Sequence, residues 1–133
     1  YIKSNQLETF VEITGKLSKT DWIEKSRDYN VFINTSKVDN TPVSVLEAMA
    51  LGLGIVSTNV GGVPYIIEHE KQGLLVESDD EAAMVKAITH LMENTDVANL
   101  IRENARQKVE QFDWEVLKYK WFKVFEDVEQ INL

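Results

Sequence analysis

The sequence predicts an α/β domain, with a parallel sheet of about four strands, helices on both faces and a purely helical C-terminal third. Three observations predict it. Short β-branched or apolar runs (FVEIT, VFIN, IVS, LLV) alternate with segments whose apolar residues fall at helical spacing, the pattern of parallel strands joined by right-handed crossovers. VFIN and IVS show no polar–apolar alternation, as expected of strands covered on both sides. Finally, 133 residues with 44% hydrophobic content and no repeat, low-complexity segment or linker make one domain with a proper core.

Taken in order, Tyr1–Asn5 carry no start signal and read as the last turn of a helix begun upstream, so the chain is expected to be a fragment. Phe10–Thr14 runs into Gly15 and reads as the first strand. Ser18 and Asp21 resemble a capping box, and Trp22, Ile23 and Ser26 share a face of the helix that follows, to about Asp28. Val31–Asn34 is the second strand. The stretch Asp39–Gly52, DNTPVSVLEAMALG, then opens a helix over Pro42–Leu51. Proline suits a first helical position, and Asn40 or Thr41 can cap it. Gly52 and Gly54 stop that helix, Ile55–Ser57 is the third strand, and Asn59–Gly62 permits positive φ and close backbone approach to a ligand. A short helix over Val63–Glu68, a turn over His69–Gly73 and a fourth strand at Leu74–Val76 follow. Ser78 with Glu81 predicts the cap of a helix carrying Met84, Ile88, Leu91 and Met92, to about Asn94. Asp96 is read as the cap of a helix with Leu100, Ile101, Ala105 and Val109 on one face. Asp113 is read as the cap of the last, where Trp114, Leu117, Trp121, Phe125 and Val128 form an aromatic stripe.

Composition narrows the function. With 22 acidic and 14 basic residues the net charge is −8, and no basic run tracks a nucleic-acid backbone. Nucleic acid is not an expected partner. The longest apolar stretch, Val43 to Val56, is broken by Glu47, Gly52 and Gly54 and is too short to span a bilayer, so no integral membrane segment is expected. Cysteine is absent, which excludes disulfides and thiolate metal sites and fits the cytoplasm. His69 and His90 have no partner at metal-ligand spacing and read as structural, so neither a metal nor a cofactor is expected. The aromatic stripe is interleaved with acidic and basic residues, which points to core packing or to a further domain rather than to a membrane face.

In open α/β sheets, ligands bind beyond the carboxyl ends of the strands. Three loops should meet there: Gly15–Thr20, Thr35–Thr41 and Thr58–Gly62. The middle loop enters the helix whose first N–H groups, on Val43, Ser44 and Val45, lack intrahelical partners, which makes an anion site suited to phosphate. Glu47 lies five residues on, roughly 7 Å along the axis at ~1.5 Å per residue, and shares a face with Val43 and Ser44. A pyrophosphate at the helix end would place a nucleotide's ribose near Glu47, and Asp39, beyond the phosphate, can hold a sugar hydroxyl. Asp39 alone also reads as turn chemistry, and the Gly61-Gly62 loop as an ordinary turn.

Asp39 and Glu47, separated by seven residues, the second within E-A-M-A-L-G, followed by a Val-Ser strand and a Gly-Gly loop, resemble the C-terminal domain of family 4 retaining nucleotide-sugar glycosyltransferases, which have the two-domain GT-B fold. The resemblance runs from about Phe10 to Val128. It implies a Rossmann-like sheet, with residues 1–133 a partial donor-binding domain. It implies that Glu47 binds the donor ribose, that Asp39 contacts the transferred sugar in a catalytic position, that the segment of Thr41, Pro42, Val43 and Ser44 receives sugar and diphosphate, and that Leu17 lines the base pocket. Asp39 stands where the family usually has the longer glutamate. Pro42 replaces a common glycine and removes one amide donor, leaving Val43, Ser44 and Val45. Tyr65 stands where an acidic residue is frequent and has no assigned role.

The implied enzyme moves a sugar from a nucleotide diphosphate to a glycan or lipid-linked acceptor with retention, plausible in surface polysaccharide biosynthesis. Its partners would be the nucleotide-sugar donor, the acceptor and a missing N-terminal domain, which could bring it to the inner face of the membrane. An upstream Arg and Lys that neutralise the leaving diphosphate in the family would also lie outside this chain, so the chain alone is expected to be inactive. The competing reading is a non-catalytic α/β nucleotide-binding or interaction module; a GT-B epimerase is a further enzyme alternative.

Overall fold

The computed structural model describes residues 1–131. Strands β1 (Val31–Asn34), β2 (Gly54–Thr58) and β3 (Leu74–Val76) form a parallel sheet in the order β1-β2-β3. Val31 to Asn34 pair with Gly54 to Ser57, and Val56 to Thr58 pair with Leu74 to Val76. Helix α1 (Lys19–Ser26) precedes the sheet, α2 (Val43–Ala50) connects β1 to β2, and α3 (Val63–Ile66) connects β2 to β3. Helices α4 (Glu81–Glu93), α5 (Thr95–Val109) and α6 (Trp114–Ile131) complete the chain.

The central strand explains the layering. Every residue of β2 is buried, and successive side chains point to opposite faces. Ile55 joins a cluster with Val45 and Met49 of α2, Val63, Ile67 and Ala105. Val56 joins another with Leu74, Ala87 and Leu91, and with Ala98 and Ile101 of α5. The sheet is therefore covered on both faces, and α5 serves both clusters.

The expected first strand is not formed. Over residues 7–11 the chain turns, with the N–H groups of Phe10 and Val11 both donating to the Leu7 carbonyl, and Phe10 and Ile13 are 83% and 81% exposed. β-propensity needs a neighbouring strand to act on. Here a cavity of about 390 Å³, lined by Phe10, Val11 and Thr14 on one side and Val31, Phe32 and Ile33 on the other, takes the place of a ladder. The segment is held to α1 by the Lys25–Glu12 ion pair at 2.5 Å, and the hydrogen bond that Lys25 donates to the Glu12 carboxylate raises Lys25 above the usual lysine value.

Caps decide the helix ends, and several differ from expectation. Ser18 caps α1, accepting from the Asp21 N–H at 3.2 Å while its hydroxyl donates to the Asp21 carboxylate at 2.6 Å. Pro42 is the N-cap of α2 rather than its first residue, and neither Asn40 nor Thr41 caps it. At the other end, the Gly52 and Leu53 N–H groups return to the Met49 and Ala48 carbonyls, a Schellman closure requiring the φ of +75° that Gly52 adopts. Asp80, not Ser78, caps α4, because its carboxylate reaches the Ala83 N–H at 2.8 Å. Helix α5 starts at Thr95, one residue before the expected cap Asp96, which instead places a negative charge in the first turn. Its buried face is Ala98, Ile101 and Ala105, with Leu100 59% exposed. Asp113 does cap α6, accepting from the Glu115 N–H at 2.7 Å.

Core packing does not absorb the aromatic stripe of α6. Trp114, Trp121, Phe122 and Phe125 are each more than half exposed, although Trp121 and Phe125 stack at 6.0 Å between centroids. Val128, assigned to the same stripe, lies outside the described side chains. Among the described residues, no helix is long and apolar enough to cross a membrane.

Candidate functional site

The site is assembled where β1 and β2 end. Asn34, the last residue of β1, donates to the Ser57 hydroxyl at 3.1 Å and accepts from the Ser36 N–H and hydroxyl at 3.2 and 2.8 Å. The Thr58 hydroxyl donates to the Ser36 carbonyl at 2.6 Å. The loop leading to α2 is thus bonded to the ends of both strands, and the sheet, not the loop, fixes its path.

The second restraint is the Gly-Gly loop. The Gly62 N–H donates to the Asp39 carbonyl at 2.7 Å. A Cβ on Gly61, which has φ +53°, would stand 1.9 Å from the Asp39 carbonyl oxygen, and one on Gly62 would stand 1.6 Å from that of Asn40. Both glycines are required by close packing. The backbone they admit is that of residues 39–40, so their role is to seat the acidic loop.

Helix α2 starts from that seated loop. Among the described residues the Val43 and Ser44 N–H groups have no hydrogen-bond partner, whereas the Val45 N–H donates to the Pro42 carbonyl at 3.0 Å. Two free donors therefore face forward, not the expected three. Val43 and Ser44 are exposed, and Asp39 and Glu47 are half-buried. Neither carboxylate makes an ion pair or hydrogen bond within the described residues, so both are available to hydroxyl groups.

A cavity of about 510 Å³ opens beside this helix end, lined by Thr14, Gly15, Leu17, Ser18, Lys19, Trp22, Phe32, Ser44 and Glu47. Leu17, Ser44 and Glu47, nominated separately from the sequence, share this one space. Asp39, Thr41, Pro42 and Val43 are not on its lining; they lie before and at the N-terminus of α2, with Pro42 buried. The predicted residues thus fall into two groups, which meet at the helix end, where Val43 and Ser44 are neighbours.

Of the six lining residues not nominated individually from the sequence, three bear on the chemistry. Lys19, exposed in the first turn of α1, brings a positive charge to the rim. Trp22 and Phe32 pack edge to face at 5.9 Å and 63° and form an aromatic wall. The Ser18–Asp21 capping box was the available signal, since it starts α1 beside the loop and places Lys19 and Trp22 in its first turn.

A larger cavity, about 780 Å³, lies by β3 and α4 and is lined by His69, Leu75, Asp80, Lys86, His90 and Glu93 among others. It contains none of the nominated residues, and the helix N-terminus beside it is already taken by the Asp80 cap. Its histidines are engaged locally: His69 Nδ1 accepts from the Leu75 N–H at 2.9 Å, and His90 Nδ1 lies 3.2 Å from the Asn94 amide. Among the described residues, no group of three or more His, Cys, Asp or Glu could hold a metal ion.

The profile of the family described as "Glycosyl transferases group 1" matches residues 1–108. The chain belongs to this family. Among curated relatives, it is 32% identical over 116 residues to the putative colanic acid biosynthesis glycosyltransferase WcaL of Escherichia coli, covering 82% of this chain and 29% of that protein. It is 27% identical over 128 residues to the N-acetyl-alpha-D-glucosaminyl L-malate synthase of Bacillus anthracis, covering 96% and 33%. The fold is shared with sucrose-phosphate synthase from Thermosynechococcus elongatus, at a TM-score of 0.87 and 23% identity over 98% of this chain and 33% of that one. It is shared equally with HepE from Anabaena, solved in complex with UDP, at 0.85 and 21% over 95% and 35%. This group 1 chain therefore spans about a third of the length of these proteins, and the part it shares with them is that of a GT-B C-terminal domain.

Proposed function

We propose that this chain is the donor-binding part of a retaining, family 4 glycosyltransferase that moves a sugar from a nucleoside diphosphate to a glycan or lipid-linked acceptor. The observation that carries the reading is the convergence of Leu17, Ser44 and Glu47 on one cavity beside the free N–H groups of α2. The base enters under Leu17, the ribose hydroxyls donate to Glu47, and the diphosphate meets the Val43 and Ser44 N–H groups at the positive end of the helix dipole. Asp39, on the far side of the phosphates, accepts from a hydroxyl of the sugar.

In the transfer, the bond from the anomeric carbon to the diphosphate breaks and its electrons leave on a phosphate oxygen. The acceptor oxygen bonds to the same face of that carbon, and its proton is released. Preorganised N–H groups contribute by stabilising the charge that builds on the leaving group. Two such groups and Lys19 are a small complement for a diphosphate, so the remaining cations belong to the rest of the enzyme. The relation to WcaL, named for colanic acid biosynthesis, and the UDP complex of HepE support a surface-polysaccharide role and a nucleotide donor.

Calorimetric titration of the 133-residue chain with UDP, GDP and ADP, and a transfer assay with their sugars, test this. Weak saturable binding at one site without turnover is expected. Absence of binding by every nucleotide overturns the donor-site reading, and transfer by the chain alone overturns its assignment as a part.

A further inference from the structure

Among the described residues the Asp39 carboxylate has no hydrogen-bond or ion-pair partner, so its direction is set by the backbone that carries it. That backbone is held at two points, both from the end of β2. The Thr58 hydroxyl donates to the Ser36 carbonyl at 2.6 Å, and the Gly62 N–H donates to the Asp39 carbonyl at 2.7 Å. Lys37 and Val38, between the two, are exposed, and the Lys37–Asp79 ion pair joins exposed side chains, where such pairs contribute little. The tie to Ser36 is one side of a closed ring. Ser36 donates from its N–H and its hydroxyl to Asn34 Oδ1, Asn34 Nδ2 donates to the Ser57 hydroxyl, and that hydroxyl donates to the Thr58 carbonyl at 3.1 Å. Ser57 and Thr58 are buried, where hydrogen bonds polarise one another and an unpaired group is costly.

Resting on the donor-site reading above, we infer that Thr58 is a positioning residue for the transferred sugar. Through the Ser36 carbonyl it fixes the start of the segment whose other end Gly62 fixes at Asp39. Thr58 is not on the lining of the donor cavity, so the affinity gained from the sugar depends on a hydroxyl outside that cavity. Valine matches threonine in shape but leaves the Ser36 carbonyl without its donor, whereas serine keeps the donor.

The test measures two quantities on the wild-type chain, Thr58→Val, Thr58→Ser and Asn34→Leu. One is the hydrogen-exchange protection of the Gly62 amide relative to the amides of β2. The other is the ratio of the dissociation constant of a nucleoside diphosphate to that of its sugar, for UDP with UDP-glucose and UDP-N-acetylglucosamine and for GDP with GDP-mannose. In wild type the ratio should exceed one for at least one sugar. Thr58→Val should lower Gly62 protection about tenfold beyond any change in β2, the effect of one hydrogen bond, and bring that ratio close to one. Thr58→Ser should keep both at wild-type values. Equal loss of protection at Gly62 and β2 with an unchanged ratio, the mark of a merely structural role, overturns the inference. So does Thr58→Ser as disruptive as Thr58→Val, or a wild-type ratio of one for all three sugars. Where Thr58→Val fails to fold, Asn34→Leu, which removes both bonds from Ser36, decides by the same comparison. In all these cases binding of UDP or GDP by the wild-type chain leaves the donor site standing, whereas no binding by either diphosphate or any of the sugars removes the site and the inference with it.

Discussion

Gly62→Ala is expected to lower the stability of the chain by about 3 kcal/mol, the upper part of the range for overpacking a filled site, and its melting temperature by roughly 10 °C. The added methyl would lie 1.6 Å from the Asn40 carbonyl oxygen and 2.6 Å from its carbonyl carbon. Real Cβ atoms do not come that close, and backbone cannot swing aside as the tip of a long side chain can. Relief requires the acidic loop to lift from the Gly-Gly turn, breaking the Gly62-to-Asp39 hydrogen bond at 2.7 Å. Asp39 and the start of α2 would move with it, so nucleotide affinity should fall together with stability. Gly52→Ala is the control. Its φ is +75° but open space surrounds the position, so only the left-handed penalty of about 1 kcal/mol applies, and the site is untouched. Thermal melts of the two variants check this; equal effects would show that the Gly-Gly loop does not seat the acidic loop.

Glu47→Ala has the opposite profile. Glu47 is half-buried and makes no ion pair or hydrogen bond within the described residues, and alanine is the better helix former. The melting temperature should hold or rise slightly. Nucleotide affinity should fall on the order of 100-fold, since hydrogen bonds to a charged group contribute about 1.5–3 kcal/mol each and a ribose offers two hydroxyls. Glu47→Gln keeps an acceptor without the charge and should lose about tenfold. A structural carboxylate would give the reverse, lost stability with unchanged binding, and paired melts and titrations separate the two.

Much of this was legible because local rules agreed with the tertiary ones. The apolar runs of β1, β2 and β3 are parallel strands, and DNTPVSVLEAMALG contains the helix its pattern predicts. Where the reading failed, partners decided. FVEIT has strand-forming residues, but its neighbours are a cavity and the Glu12–Lys25 pair, not a ladder. Asp80 rather than Ser78 caps α4 because its carboxylate accepts from the Ala83 N–H at 2.8 Å, a distance no spacing rule resolves. Leu100 misses the buried face of α5 because Ala98 and Ala105 pack there instead. At the site, free amides could be listed from the helix start, but losing one depended on the Pro42 carbonyl turning onto the Val45 N–H. Trp22 and Phe32 read as core from sequence. They do pack against the core, and their other side faces the cavity, which hydrophobic spacing could not reveal.

The central claim is the location of the donor site, and amide chemical shifts report location directly. Titrating isotope-labelled wild-type chain with UDP should shift the amides of residues 15–19, 43–47 and 59–62, and Glu47→Ala should abolish those shifts at the same UDP concentration. Shifts confined to residues 69–76 and 83–93, around the larger His69–His90 cavity, would contradict the assignment.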